Sequence, residues 1–277
     1  MKRIMILLLC AALTLSLCAC GGGSKEGGST DEKAVLRVGM ECDYAPFNWT
    51  QTQETDRSVP ITSGGYADGY DVQIAKLIAE GLGMELEIVK IEWDGLTLAL
   101  QSGEIDAIIA GMSPTEERKL TIDFTDPYYE SELVIVVRAD GPYVNAQSLE
   151  DFTGAKITGQ LNTFHYTVID QIPGVVKEVA LETFPAMIVA LQSGKIDGYV
   201  SERPGAVSAK EANPELTFVE FAEGMGFVAS PEDVAVAVGL KQGSDLTEKI
   251  NAILAGIDAE TRQKMMDEAV ANQPLSN

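Results

Sequence analysis

The chain has 277 residues, of which 42 are acidic and 20 basic, giving a formal charge of −22 at pH 7. That balance excludes a nucleic-acid binder, since phosphate contacts need a basic surface. Four cysteines and a single histidine argue against a thiol or imidazole metal cluster and against histidine-based catalysis, and no cofactor is implied.

The first residues read as an address. Lys2 and Arg3 form a charged start, and residues 4–17 are apolar but too short for a comfortable membrane span. Leu17-Cys18-Ala19-Cys20-Gly21 then resembles a bacterial lipobox with Cys20 as the lipidated residue; Cys18 would place bulky Leu17 just before the cut. Residues 1–19 are therefore expected to be a lipoprotein signal peptide, and residues 20–33 a flexible tether that anchors the protein outside the cytoplasm. Cleavage before Cys20 removes Lys2, Arg3 and no acids, leaving 258 residues and a net charge of −24. Such an acidic surface is compatible with a cationic ligand, though it also serves solubility. Cys10 and Cys18 leave with the signal and Cys20 carries lipid, so Cys42 remains alone and no disulfide is expected.

From residue 34 the pattern alternates strand and helix. A strand over 35–39 leads into a loop at 41–49 held by Pro46. Residues 50–67 are polar, carry two glycines and show no periodicity; they read as an insertion of unknown role. Asp71 is placed to cap a helix over 72–82 with Val72, Ala75, Ile78, Ala79 and Leu82 on one face. A strand at 86–91, a helix ending near Ser102 and a strand at 105–109 follow. After Arg118 comes a strongly apolar strand, 133–138. A second series contains a strand at 156–159, a helix from Thr163, a strand at 175–180, a helix, a strand at 196–200 and a helix from about Pro204. His165 reads as a helix-surface residue. A late strand at 234–238 precedes two tail helices near 245–257 and 259–272, with Asp245 and Glu248 forming a capping box.

A repeat organises this series. Residues 99–106 read ALQSGEID and residues 190–197 read ALQSGKID, seven identities in eight positions at an offset of 91 residues. In each copy a helix is expected to close on a left-handed glycine, Gly103 or Gly194, and then enter a buried strand. Two such units imply two similar α/β lobes, with 258 residues enough for both. The segments after each repeat strand, 110–118 and 201–204, then lie at the edge where open α/β sheets bind ligands.

The stretches YAPF (44–47), GYDVQIAK (69–76), WDGLTLALQSGEIDAIIAGMSPTEER (93–118), IDFTDPYYES (122–131) and ALQSGKIDGYVSERP (190–204) resemble the extracytoplasmic amino-acid-binding proteins of ABC importers, the family 3 solute-binding proteins. The resemblance implies a two-lobed type II periplasmic-binding-protein fold whose lobes close on a ligand about two crossover strands. The crossings fall near residues 130–131 and 233–235, which assigns residues 34–131 and 235–277 to one lobe and 132–234 to the other. It also implies permease subunits as partners, a monomer, and no enzymatic step.

A free amino acid carries a carboxylate and an ammonium on one carbon, so a dry site must satisfy both. Arg118 suits the carboxylate because its planar fork matches two oxygens, and the resemblance assigns it that role. Gly111 and Ser113 match family positions that touch the ligand head group, while Pro114 departs from the pattern. Glu202 matches the family's ammonium-binding acid, usually Asp. Thr163 matches a Gly-Thr-Thr segment at a helix start, with Asn162 and Phe164 as departures. Tyr44 and Trp93 match positions that sandwich the ligand side chain in binders of basic amino acids, and Glu41 matches an acidic position at the far end of that side chain. A cationic ligand of the arginine, lysine or histidine kind is favoured. Two alternatives share the fold: a dehydratase of aromatic amino-acid biosynthesis, which needs a general acid or base in the cleft, and a sensor subunit read by a membrane receptor.

Overall fold

The apolar runs read from the sequence assemble into two five-stranded sheets with the same strand arrangement. The computed structural model describes residues 33–274, so the signal segment, Cys20 and residues 20–32 of the tether lie outside the described residues. In the first sheet Glu85–Lys90, Val35–Met40 and Ala107–Ile108 run parallel in that order, followed by Gly239–Leu240 and Asp123–Phe124, with Gly239–Leu240 antiparallel to both neighbours. In the second, Val176–Lys177, Lys156–Thr158 and Gly198–Glu202 run parallel, followed by Leu133–Arg138, antiparallel to Gly198–Glu202 and Leu216–Val219. Each sheet thus takes its antiparallel strand from beyond its own βα series. The two-lobed α/β architecture expected from the repeat is what forms. Leu133–Arg138 is almost wholly buried, which explains its unbroken apolar sequence. Tyr129–Glu130 pairs antiparallel with Ala235–Val236 where the chain passes between the sheets.

The repeat performs the same local task twice. Leu96–Ser102 ends at Gly103 with φ 81°, and Phe184–Gln192 is followed by Gly194 with φ 72°, a conformation that glycine adopts without a Cβ clash. The N–H groups of Glu104 and Lys195 then return to the Ala99 and Ala190 carbonyls, each at 3.0 Å. The aspartate closing each copy pins the next strand to the first strand of its sheet. Asp106 exchanges backbone and side-chain bonds with Arg37, and Asp197 does so with Lys156.

Three local expectations fail for physical reasons. Residues 50–67 are not an unstructured insertion: Asn48–Gln51, Val59–Pro60 and Tyr66–Asp68 form a small sheet with Asp43–Tyr44, order Asp43–Tyr44, Asn48–Gln51, Tyr66–Asp68, Val59–Pro60. Its strands are too short to show alternation, and Arg57 ties it to Glu268 on the Ala259–Asn272 helix at 2.9 Å. Asp71 does not cap; it lies in the first turn of Tyr70–Leu82, whose carboxylate is instead buried against Asn48 and Tyr128. Asp245 and Glu248 form no capping box, because Asp245 takes a helical φ/ψ and its side chain makes no cap bond.

Candidate functional site

Two strand ends from each sheet converge on one cleft. From the first lobe, Val35–Met40 delivers Glu41 and Tyr44, and Ala107–Ile108 delivers Gly111, Ser113 and Arg118. From the second, Lys156–Thr158 delivers Gln160 and Thr163, and Gly198–Glu202 ends on Glu202 itself. Tyr44, Trp93, Gly111, Ser113, Arg118, Gln160, Thr163, Phe164, His165 and Glu202 line one cavity of about 10 Å³, on the order of a single water. The cleft is filled by its own side chains.

Arg118 is partly buried on the short helix Glu116–Lys119, whose start is capped by Thr115. Its Nη1 donates to the Ser113 carbonyl at 2.9 Å and its Nη2 to the Asn162 carbonyl of the other lobe at 3.1 Å. The guanidinium carbon lies 5.1 Å from the Trp93 ring centroid, a cation–π contact. Burial lowers its pKa to about 10, which leaves it charged at neutral pH. Trp93 is half-buried and donates to the same Asn162 carbonyl at 3.5 Å, while the Asn162 amide donates to Asp94 at 2.9 Å. Gly111 holds φ 62°, and a Cβ there would sit 2.9 Å from Tyr44 Cε1, so the position needs glycine.

Glu202 is 3% exposed and both its oxygens are engaged: Oε1 with His165 Nε2 at 3.0 Å, Oε2 with the Tyr44 hydroxyl across the cleft. Burial pushes its pKa up, but the His165 imidazole and the Tyr44 donor outweigh it and hold the carboxyl below the ordinary value. Neighbouring Arg203 turns away to Glu220 at 2.7 Å. Glu41, also 3% exposed, accepts from Gln160 Nε2 at 3.0 Å through Oε2, while Oε1 is buried without a partner. Here burial dominates and raises the pKa to about 8.

The two aromatic residues expected to sandwich a side chain are engaged separately. Tyr44 stacks on Phe184 at 4.0 Å between centroids and 9° between planes, and Trp93 lies under Arg118. Thr163 is buried, but its hydroxyl donates to the Gln160 carbonyl at 2.7 Å, and the helix behind it, Phe164–Thr167, is one turn long. Ser113 is buried beside Arg118, its carbonyl on the guanidinium. The expectation that His165 sits on a helix surface is wrong: it is 8% exposed, because that single turn lies across the cleft floor rather than over the outside of the lobe.

Gln160 and Phe184 are not singled out by the sequence, which marks Asn162 only as a departure from the Gly-Thr-Thr segment. A signal did exist for Gln160, which follows the first strand of its sheet as Glu41 follows the first strand of the other. Beneath the cleft, Asp71 accepts from Asn48 at 2.8 Å and Tyr128 at 2.7 Å, and Asn48 in turn accepts from the Cys42 N–H at 2.8 Å. Tyr128 also receives the Gly111 N–H at 3.3 Å, so this network supports both first-lobe loops from below.

With the geometry in place, the chain can be set against known proteins. The profile of the bacterial extracellular solute-binding proteins, family 3, matches residues 36–269. The arginine-binding extracellular protein ArtP of Bacillus subtilis (strain 168) is 30% identical over 262 residues, covering 92% of each chain. A probable histidine-binding protein of Neisseria gonorrhoeae is 27% identical, covering 90% of this chain and 87% of its own length. Among solved structures, an amino acid ABC transporter substrate-binding protein from Streptococcus pneumoniae Canada MDR_19A, bound to L-arginine, superposes with a TM-score of 0.74 at 29% identity. That match covers 86% of this chain and 94% of the other.

Proposed function

The chain belongs to the bacterial extracellular solute-binding proteins of family 3, and we propose that it is the substrate-binding subunit of an ABC importer for a free, cationic L-amino acid. The observation that carries this is the meeting in one cleft of a partly buried guanidinium from the first lobe and an ionised carboxylate from the second that is 3% exposed. Arg118 takes the ligand carboxylate with a bidentate fork, and Glu202 takes the ammonium once Tyr44 releases Oε2. Gly111, Ser113 and Thr163 shape the head-group pocket. The orphaned Oε1 of Glu41 suits a guanidinium or alkyl-ammonium end, with Tyr44 and Trp93 along its stem. The names of the two relatives, one for arginine and one for histidine, support a cationic side chain.

Binding and lobe closure complete the task without chemistry: contacts made from both lobes at once shift the population to the closed form. Permease subunits receive that form, and the protein acts as a monomer tethered outside the cytoplasm through lipid on Cys20. A Cys20→Ser protein should leave the detergent phase in a partitioning assay; unchanged partitioning would remove the anchor from Cys20.

The test of the site is Arg118→Ala. Removing one partner of a buried charge pair costs about 2–5 kcal/mol, on the order of thirtyfold to several thousandfold in affinity. A thermal-shift screen of the twenty amino acids identifies the ligand first, since ligand at 100 times its Kd stabilises by roughly 2.7 kcal/mol. Near-native affinity in a folded Arg118→Ala protein, read by calorimetry, would overturn the assignment.

A further inference from the structure

The single histidine of the chain is the one cleft-lining ionisable group that the reading above leaves without a task. His165 sits on the same lobe as Glu202, so its 3.0 Å bond to Glu202 Oε1 does not depend on the lobes being closed. The Tyr44 bond to Oε2 spans the cleft and breaks on opening. In the open lobe one oxygen is therefore held and the other is free. His165 Nδ1 is buried with no hydrogen-bond partner, and the ring meets Phe184 edge-on at 6.1 Å, so the imidazole is fixed in place.

We propose that His165 is the positioning residue of the ammonium site, holding Glu202 with one oxygen presented to the ligand and making capture of the ammonium depend on the imidazole being neutral. This rests on the amino-acid reading above. A neutral imidazole donates through Nε2 and leaves the full negative charge on Glu202. A protonated one forms a neutral pair with Glu202, and the ligand ammonium then meets no net counter-charge. The groups around His165 are Glu202 at 3.0 Å and the Phe184 ring; Tyr44 and Arg118 line the same cavity from the other lobe, and Phe164 and Tyr166 flank it in its own turn. Glu202 is the only one of these with negative charge at neutral pH. Protonation of His165 should therefore weaken capture of the ammonium.

The experiment is calorimetric titration of the purified protein between pH 5.5 and 8 with the amino acid found in the thermal-shift screen, L-arginine being the first probe. 5-Guanidinovalerate, which is arginine without its amino group, is titrated alongside. Wild type is expected to lose about tenfold in L-arginine affinity on acidification, roughly the worth of one charge-assisted bond, with a smaller change for 5-guanidinovalerate. His165→Gln keeps a donor for Glu202 and cannot titrate, so it should bind L-arginine with a shallower pH dependence, only the part due to Glu41 remaining. His165→Leu should bind weakly at every pH. Glu41 also titrates in this window but is present in all three proteins, so the difference between them reports His165. Identical pH profiles in wild type and His165→Gln, or an unchanged ratio between the two ligands, would overturn the inference while leaving amino-acid binding intact. If no amino acid stabilises the protein in the screen, the amino-acid reading itself falls.

Discussion

At neutral pH Glu41 is a carboxylic acid rather than a carboxylate, because burial has lifted its pKa to about 8. A cationic ligand end arriving at its unpartnered Oε1 reverses that, since an opposite charge favours the ionised form. Binding of L-arginine at pH 7 should therefore release close to one proton from Glu41, whereas L-glutamine should release none from it. Calorimetry in buffers of different ionisation enthalpy measures this, and Glu41→Gln should abolish the release and weaken L-arginine by about 1.5–3 kcal/mol. Equal proton release from wild type and Glu41→Gln would return Glu41 to a purely structural place in the cleft wall. The same shift sets a stability trend. The folded protein holds this proton from the unfolded value of 4.5 up to about 8, so the contribution of Glu41 is full at low pH and declines as pH rises across that window.

Among elements, the twice-used helix–turn–strand unit shows why an octapeptide can be read so directly. Every residue in it answers a local need: apolar helix positions, a glycine for the left-handed turn, and an aspartate that grips the neighbouring strand. At Asp106, burial raises the pKa, but the Arg37 side chain and N–H together outweigh it and the carboxyl titrates below the ordinary value. That contribution is present above the unfolded pKa and disappears as pH falls through the folded one. Because Arg37 is 37% exposed, solvent screening limits it, and Asp106→Asn should cost about 1 kcal/mol at pH 7. The difference from wild type should close on acidification, below about pH 4; urea unfolding at several pH values reads it. Elements whose logic is not local were misread. The short strands of residues 48–68 acquire their identity only by pairing with one another. Asp71 looks like a cap until Asn48 and Tyr128 arrive from distant parts of the chain to bury it.

Across the whole molecule the same limit governs the cleft. The repeat places the segments holding Arg118 and Glu202 at the sheet edges and the family resemblance implies their roles, but which side chains meet when two lobes come together is not a property of either lobe's sequence. Tyr44 with Glu202, Gln160 with Glu41, and Asn162 with Asp94, Trp93 and Arg118 all join residues more than 40 positions apart. These contacts fill the volume an amino acid must occupy, so a ligand reaches Arg118 only after they part. The observed association rate is then the intrinsic rate multiplied by the open fraction. Asp94→Ala removes one exposed cross-cleft bond without touching Arg118 or Glu202. A hydrogen bond of this kind is worth about 0.5–1.5 kcal/mol, which raises a minor open population by roughly two- to tenfold. Stopped-flow fluorescence, with Trp93 as a reporter inside the cleft, should show association faster by that factor, and small-angle scattering should show a larger ligand-free radius of gyration. An unchanged association rate together with an unchanged radius would mean that the Asn162 contacts follow closure rather than oppose opening.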